Sequence, residues 1–435
     1  TDIMTPKLED MDYVRFTSVR FRGKSYEETI LQLKSALEEE YKSKGATSVS
    51  PRIFLHKSLP DAIIIENILV AEKSLSQTYP RLYVDPLCGV AVLRGSDIFA
   101  GGVIGIEPGA SKDCPVSVYA CLEKFNAGFT KAYTGATRFL GNGLLVMERK
   151  QLLGDIHANS GVAVRMTQPL VVCPSFQSCL FQSGNLVAQN LPSLVCARVL
   201  DAQPGQTVLD MCCAPGGKCL HLADLMQMQG TLIAIDKSAK RLNTVAEQAV
   251  KLVIDTENFL RIHCFDACRL CDDNGTDAGE PDSKPPYRPK QFDRVLLDAP
   301  CSALGQRPRL LTSSDSSSQL SKTASQLSSY AQIQNRLFRE AIKLVKPGGF
   351  LVYSTCTTRP EENERQVSLA LQMNWPNLKL VEQTPNLRPF GINQPDGSVG
   401  LVQKFDPEVP YDASDVTNAC NYDTIGFFVA KFVVA

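Results

Sequence analysis

The sequence is poor in several things that often declare a function. It holds one tryptophan and four histidines in 435 residues. His56, His157, His221 and His263 are scattered without the paired spacing of a metal site, so we expect no metal and assign them no catalytic role. Lone Trp375 reads as a packing residue. No run of about 18 apolar residues occurs, so no membrane span is expected. The best candidate, Ala62–Ala71, is short and broken by Glu66. Neither charge dominates: Lys+Arg 45 against Asp+Glu 46 leaves −1, which excludes a generic polybasic nucleic-acid glue but not a local basic groove. There is no internal repeat and no signal-peptide pattern. The chain begins with Thr1, so a preceding piece is expected.

Cysteine is abundant. The 15 cysteines are scattered and odd in number, which argues against a disulfide scaffold and for a reducing, cytoplasmic setting with mostly buried or catalytic thiols. With 44% apolar and 21% charged residues the chain is globular. At about 100–200 residues per domain it has room for two to four domains.

The texture changes along the chain. Tyr13–Phe21 alternates like a strand; Ser25–Lys42 reads as an amphipathic helix with Ile30, Leu31, Leu33, Ala36 and Leu37 on its apolar face. Arg52–Val70 adds short strand-like runs, giving an α+β region over 1–80. From 81 to 160, short apolar runs separated by glycines suggest a small β-barrel. Residues 161–206 read as a connecting segment of the catalytic core. From 207 to 435, strand-like and helical segments alternate: TVLDM, TLIAID, RIHCFD, FDRVLLD and GGFLVYSTC, with helices between. That alternation predicts a Rossmann-like α/β domain with a parallel sheet, and IGFFVAKFVV reads as its last buried strand. Asp272–Gln291 and the Ser-rich Thr312–Ser329 interrupt it as loops. Lys346–Gly349 reads as a turn, Gln189–Ser193 as a helix start, and Gln334 as a surface residue of a helix.

Open α/β sheets bind ligands beyond the carboxyl ends of their strands. Here those ends hold Asp210, Asp236, Asp266, Asp298 and Cys356. The first is followed by Cys212, Cys213, Ala214, Pro215, Gly216, Gly217 and Lys218, whose glycines allow close backbone approach to a ligand. The turn is not a phosphate-binding G-x-x-x-x-G-K-[ST] loop, because Cys219 follows the lysine. A carboxylate at Asp236 suits ribose hydroxyls, and Asp266 lies where a nucleoside base could rest. A nucleoside without a phosphate cradle points to S-adenosylmethionine. Two cysteines then close strands: Cys301 in D-A-P-C and Cys356 in S-T-C-T. Placed at the ligand edge, each is a nucleophile candidate. Asp298 beside them can exchange a proton with a bound base.

Asp210–Lys218 (DMCCAPGGK), Phe292–Gly305 (FDRVLLDAPCSALG) and Leu351–Thr357 (LVYSTCT) resemble the motifs of the Nop/Sun family of RNA cytosine-5 methyltransferases. The likeness covers the chain from about Phe16. The segments Cys88–Gly95 and Phe139–Gly143 resemble a PUA domain, as in the PUA-containing member of the family's animal set. The resemblance implies a Rossmann-like class I methyltransferase fold with an RRM-like N-terminal region, and S-adenosylmethionine as methyl donor. It implies Cys356 as nucleophile, Cys301 as the thiol that assists release, Lys218 and Asp298 in the catalytic pocket, and Asp236, Asp266 and Asp298 around the cofactor. It also implies an RNA partner: a cytosine near the 3′ end of the tRNA acceptor stem, in tRNA for cysteine and threonine, and similar mRNA stem-loops, acted on by a monomer. Arg20–Arg22 (R-F-R) departs from the family's R-V-N-type motif, and the insert after Arg309 is longer than usual.

Two other classes compete. Cys264, Cys268 and Cys271 form C-x3-C-x2-C, the spacing of a radical S-adenosylmethionine cluster, and His263 could join them around zinc. A non-catalytic RNA-binding protein could instead use Arg20, Arg22, Lys24, Arg138, Arg149, Lys150 and Arg165 along a groove. No pocket acid or motif cysteine is missing, which favours an enzyme.

Overall fold

The computed structural model describes residues 3–4, 7–8, 11–23, 25–46, 50–123, 133–153, 160–176, 179–273, 284–310, 323–373, 378–394 and 397–434. Lys24, His157, Trp375 and most of the Ser-rich insert, each singled out above, lie outside them.

The N-terminal region is α+β as expected. Strand β1 (Phe16–Phe21) leads to helix α1 (Tyr26–Ser43), then β2 (Ile53–Leu55) and β3 (Ala62–Glu66). Ser25 caps α1, accepting from Glu28 N. The buried face is Thr29, Leu33, Leu37 and Tyr41, a strict four-residue stripe. Leu31, expected on that face, is exposed, because it lies two residues off the stripe.

The second sheet contains β4 (Arg81–Val84), β5 (Ile98–Phe99), β6 (Val103–Ile106), β7 (Pro115–Cys121), β8 (Thr137–Leu145) and β9 (Val162–Pro169). The spatial order is β6-β4-β7-β8-β9-β5, and no described pairing joins β6 to β5. Two features depart from the reading above. Pro86–Leu93, taken as part of a β-rich run, is a helix, α2: Asp85 caps it and Pro86 occupies its first turn. The sheet also runs past 160, because β9 pairs with β8, its Arg165 and Gln168 outward and Ala163, Val164 and Met166 buried.

Residues 161–206 are therefore shared among three layers. β9 closes the second sheet, β10 (Leu186–Ala188) joins the edge of the first beside β1, and α3 (Leu191–Val199) packs on the catalytic domain. Asn190 caps α3, so Gln189–Ser193 is the helix start expected.

The catalytic domain strings together β11 (Thr207–Asp210), α4 (Gly217–Leu225), β12 (Thr231–Asp236), α5 (Ala239–Lys251), β13 (Leu260–Cys264), β14 (Phe292–Asp298), α6 (Ala324–Leu344), β15 (Val345–Thr355), α7 (Glu364–Gln372), β16 (Leu378–Leu380), β17 (Pro389–Asn393), β18 (Val399–Phe405) and β19 (Phe427–Val434). Its sheet order is β13-β12-β11-β14-β15-β19-β18-β17, with β16 also on β19. The five strands β13 to β15 in that order are parallel, and β19 is antiparallel to β15. Val208 and Leu209 face opposite cores, one under α3 and α4 and one under α6. Both faces are covered, which is why these strands read as continuous apolar runs. Helix α6 begins at Ala324, inside the segment expected to be loop: Thr323 and Gln326 form a reciprocal capping box. Lys346–Gly349, read as a turn, falls within β15.

Candidate active site

The strand order reverses between β11 and β14, and a ligand crevice is expected at such a switch point. Asp210 and Asp298 end those two strands. Immediately beyond Asp210 the chain turns into α4 through Gly216, whose φ of 113° an L side chain rarely adopts. A Cβ at Gly217 would meet nothing within 4 Å, so bare backbone at the helix start faces open space.

That space is a cavity of about 500 Å³, walled by Asp210, the Cys212–Lys218 turn and Asp298 on one side. Gln189 and Ser193 at the start of α3, Thr17 and Ser18 of β1, and Arg94 after α2 complete it. The cavity thus lies where the catalytic domain meets both preceding layers. Gln189 reaches it as well as opening a helix: Gln189–Ser193 (QNLPS), for which a helix start is the plain reading, also resembles a family segment near the substrate cleft.

Lys218 Nζ lies 2.8 Å from Asp298 Oδ2, and Ser354 Oγ donates to Asp298 Oδ1 at 2.7 Å. Burial works against the Lys218 charge, but the Asp298 carboxylate outweighs it and holds the ammonium above the usual lysine range. Asp210 is almost wholly buried, and its Oδ1 accepts from Cys212 N. Burial, then the charge of Asp298, push its carboxyl up to about 8, so it stands protonated at neutral pH.

Beside the cavity, Cys301 Sγ and Cys356 Sγ are 3.3 Å apart, and both side chains are partly exposed. The bond between them sets their order. It holds Cys356 below the ordinary thiol pKa against the opposing effect of burial, with Gln306 and Lys218 assisting. The same bond, then burial, pushes Cys301 far above it. Either thiol can donate in that contact; with Cys301 as donor, Cys356 carries the thiolate character. Most other thiols stay protonated: burial raises Cys88, Cys121, Cys173, Cys196 and Cys420 to about 12.

The remaining expected residues sit further out. Asp236 is buried, accepting from Ser238 N at 2.9 Å and pairing with Arg241 at 3.2 Å. Asp266 follows β13 and accepts from Cys268 N at 3.0 Å as the cap of a short 3-10 turn. Neither lines the cavity, so the cavity holds the space next to Lys218 and Asp298 while these acids stand over the tips of β12 and β13.

One reading is corrected, and neither rival class gains support. Gln334 is fully buried, not on the surface: it falls on the stripe Gln334, Leu337, Phe338 and Ala341, and a polar residue at a core register was the available signal. Arg20 and Arg22 both clasp Asp224 of α4, and Arg20 also lines a second cavity, of about 300 Å³, beside Gly216 and Gly217. Arg138 pairs with Glu72, and Arg149 donates to Glu107 O. Among the described residues no three His, Cys, Asp or Glu side chains gather to hold a metal, and Cys264, Cys268 and Cys271 make separate contacts.

Comparison with known proteins agrees with this geometry. The family model for 16S rRNA methyltransferase RsmB/F matches residues 197–432. The tRNA (cytosine(72)-C(5))-methyltransferase NSUN6 of Mus musculus is 36% identical, covering 91% of this chain and 83% of its own. The Homo sapiens protein of the same name is 34% identical over 96% and 88%. A crystal structure of NSun6 from Pyrococcus horikoshii with SFG, an S-adenosylmethionine analogue, matches with a TM-score of 0.72 at 27% identity, over 97% of this chain and 91% of that one. The chain belongs to the RsmB/F (Nop/Sun) family of S-adenosylmethionine-dependent RNA cytosine-5 methyltransferases.

Proposed function

We propose that the protein methylates cytosine 72 in the acceptor stem of tRNA through a covalent Cys356–cytosine intermediate. The observation that carries this is the pair of unequal thiols beside the Lys218–Asp298 ion pair, at the switch point of the sheet. The relatives named for cytosine 72 supply the position in RNA. In the same reading the second sheet is a PUA domain and the first an RRM-like layer, together directing the enzyme to an RNA end. tRNA for cysteine and threonine, and similar mRNA stem-loops, are the candidate substrates, met in the cytoplasm.

Position 5 of cytosine is a poor nucleophile. Cys356 Sγ adds to C6, and the ring becomes an enamine with carbanion character at C5. S-adenosylmethionine supplies an electrophilic methyl group to that carbon. The bare backbone at Gly217, the acidic Asp236 and the open space beside Lys218 suit such a nucleoside sulfonium; Cys212 to Lys218 hold its amino-acid end, Asp236 its ribose and Asp266 its base. As Sγ adds, N3 takes a proton that Lys218 passes by way of Asp298; the N3–H then donates to the Asp298 carboxylate, which steadies the adduct, and N3 gives the proton back when Cys356 leaves. After methyl transfer the C5 proton must leave. Once Cys356 is bonded to carbon, the hydrogen bond that raised Cys301 is gone. Cys301 then loses its proton to water and, as thiolate, takes the C5 proton; the C5–H electrons form the C5–C6 double bond and expel Cys356. The target base must leave its stack, at a cost of a few kcal/mol that is least near a frayed end.

RNA carrying 5-azacytidine at position 72 tests this. With S-adenosylmethionine it should form a denaturant-stable adduct that Cys356→Ala abolishes, while Cys301→Ala accumulates adduct on ordinary cytosine RNA. An adduct that survives Cys356→Ala would reverse the two roles.

A further inference from the structure

Cys301 and Cys356 come from different loops, yet their sulfur atoms stand 3.3 Å apart. Something must fix that spacing. On the Cys301 side, Pro300 O accepts from Gln334 Nε2 at 3.0 Å, and Ser302 N donates to Glu362 Oε2 at 2.8 Å. The residue before the thiol and the residue after it are both held. Gln334 Nε2 also donates to Glu362 Oε2 at 3.0 Å, so the two holds share one atom. On the Cys356 side, Thr355 Oγ1 donates to Asn363 Oδ1, and Asn363 Nδ2 donates to Thr357 O at 2.9 Å. Again both neighbours of the thiol are held. Glu362 and Asn363 are consecutive, so one dipeptide grips both cysteine loops. Tyr353 OH ties it to β15 by donating to Glu362 O at 2.6 Å, and the Ser302 and Thr357 hydroxyls, 2.8 Å apart, bridge the loops directly.

Gln334, Glu362, Asn363, Thr355 and Thr357 are all fully buried. A second observation sets Glu362 apart from a merely satisfied core group. Its Oε1 has no hydrogen-bond partner, and Arg359 Nη1 approaches only to 3.9 Å. A buried carboxylate with one bare oxygen is costly and calls for a reason. Here the charge draws two donors onto one oxygen, which a neutral amide does less strongly.

We propose that Glu362 and Asn363, with Gln334, are positioning residues that hold the two thiols in contact, and that Glu362 thereby governs release of the methylated RNA. This rests on the thiol roles assigned above. Losing the Cys301 contact lowers the thiolate fraction of Cys356 near neutral pH, but attack on C6 recovers once the pH itself ionises Cys356. Release needs the Cys301 sulfur at the C5 proton at any pH, so above the thiol pKa loosening the Cys301 loop should harm the second half of the reaction and spare the first.

The test uses the full chain with Glu362→Gln and, separately, Gln334→Met. At about pH 9.5, above the ~8.5 of a free thiol, first-turnover methyl transfer should stay within about threefold of the parent. Steady-state turnover should fall tenfold or more, with most of the enzyme trapped as adduct on ordinary cytosine RNA, as for Cys301→Ala run beside it. A merely structural role would lower both phases together and trap nothing. Thiol spacing is read independently by treating the free enzyme with diamide, which oxidises two thiols to a disulfide and is itself reduced to the hydrazine. Mass mapping of the Cys301–Cys356 bridge should show formation slowed fivefold or more in both variants. Bridging at the parental rate would overturn the clamp. Should Cys301→Ala trap no adduct while bridging is slowed, the clamp stands and the thiol roles fall.

Discussion

Cys356 owes its reactivity to four neighbours acting in opposite directions, and each can be removed alone. The Cys301 and Gln306 bonds and the Lys218 charge lower its pKa; burial and the Asp298 charge raise it. Only the thiolate attacks, so adduct formation under single-turnover conditions should fall about tenfold per pH unit below the midpoint. That midpoint should lie below the ~8.5 of a free thiol. Lys218→Met leaves Asp298 unopposed and should move the midpoint up, with a loss of about a hundredfold in rate at neutral pH. Asp298→Asn removes a charge that raised the pKa and should move it down, yet lower the plateau, because N3 of the ring loses its partner. Opposite displacements in a pH–rate profile of 5-azacytidine trapping are the expected result; displacement the same way in both variants would remove Lys218 and Asp298 from the electrostatics of attack. Asp298 and both thiols are legible in the sequence because they end or directly follow apolar strands, and Lys218 because it closes the P-G-G turn. Gln334 and Glu362 are not: their partners are backbone atoms 34 and 60 positions away, and no local pattern encodes such pairings.

Helix α4 shows the same limit one level up. The strand before it and the P-G-G turn are plain from the sequence, and so is its amphipathic run. What it docks against is not. Asp224 near its end takes the side chains of Arg20 and Arg22 from β1, and His221 one turn earlier meets Asp61 at 2.7 Å beside Arg198. Read as a basic stretch, Arg20–Arg22 looked available for RNA; folded, it is the bolt between the N-terminal sheet and the cofactor loop's helix. Burial pulls Arg20 down to about 9, the mark of a cation taken out of water, and truncating its partner leaves that charge stranded. Asp224→Ala should therefore cost about 3–5 kcal/mol in urea unfolding. Arg22→Ala should cost less, since Arg22 is only half-buried and Arg20 still holds Asp224. Equal, small losses would mean that the N-terminal sheet is a loosely tethered module. Helix α2, read as part of a β-rich run, and the start of α6 escape the sequence for a related reason. A capping residue is a single position, and in a Ser-rich or Gly-rich stretch it is indistinguishable by type from its neighbours until Asp85 or Thr323 is seen accepting a backbone N–H.

At the scale of the whole molecule the near-zero charge becomes an argument about RNA binding. The fold class and the catalytic sheet were legible because alternating strands and helices leave few topologies. The distribution of charge was not, since a sum of −1 is compatible with a strong patch. The structure assigns many of the cations inward or to each other's counter-ions. Arg15 pairs with Glu66, Arg20 and Arg22 with Asp224, Arg138 with Glu72, Arg198 with Asp61, Arg241 with Asp236 and Arg307 with a buried Asp423. A guanidinium already neutralised by a carboxylate releases no counterion when it meets a phosphate. Single-stranded phosphates contribute roughly −0.7 each to the slope of log K against log salt, and duplex phosphates roughly −0.9. If the paired arginines stay out of the interface and about three or four phosphate contacts are made, the slope should be near −3. Titrating a tRNA acceptor minihelix between 50 and 200 mM salt should therefore weaken binding by about a hundredfold or less. A slope of about −6 or steeper would mean that unpaired lysines form a continuous track and that bulk charge carries the affinity. A shallow slope instead leaves recognition to shape, as the proposed binding of an RNA end by the second sheet and of one base beside Lys218 and Asp298 requires.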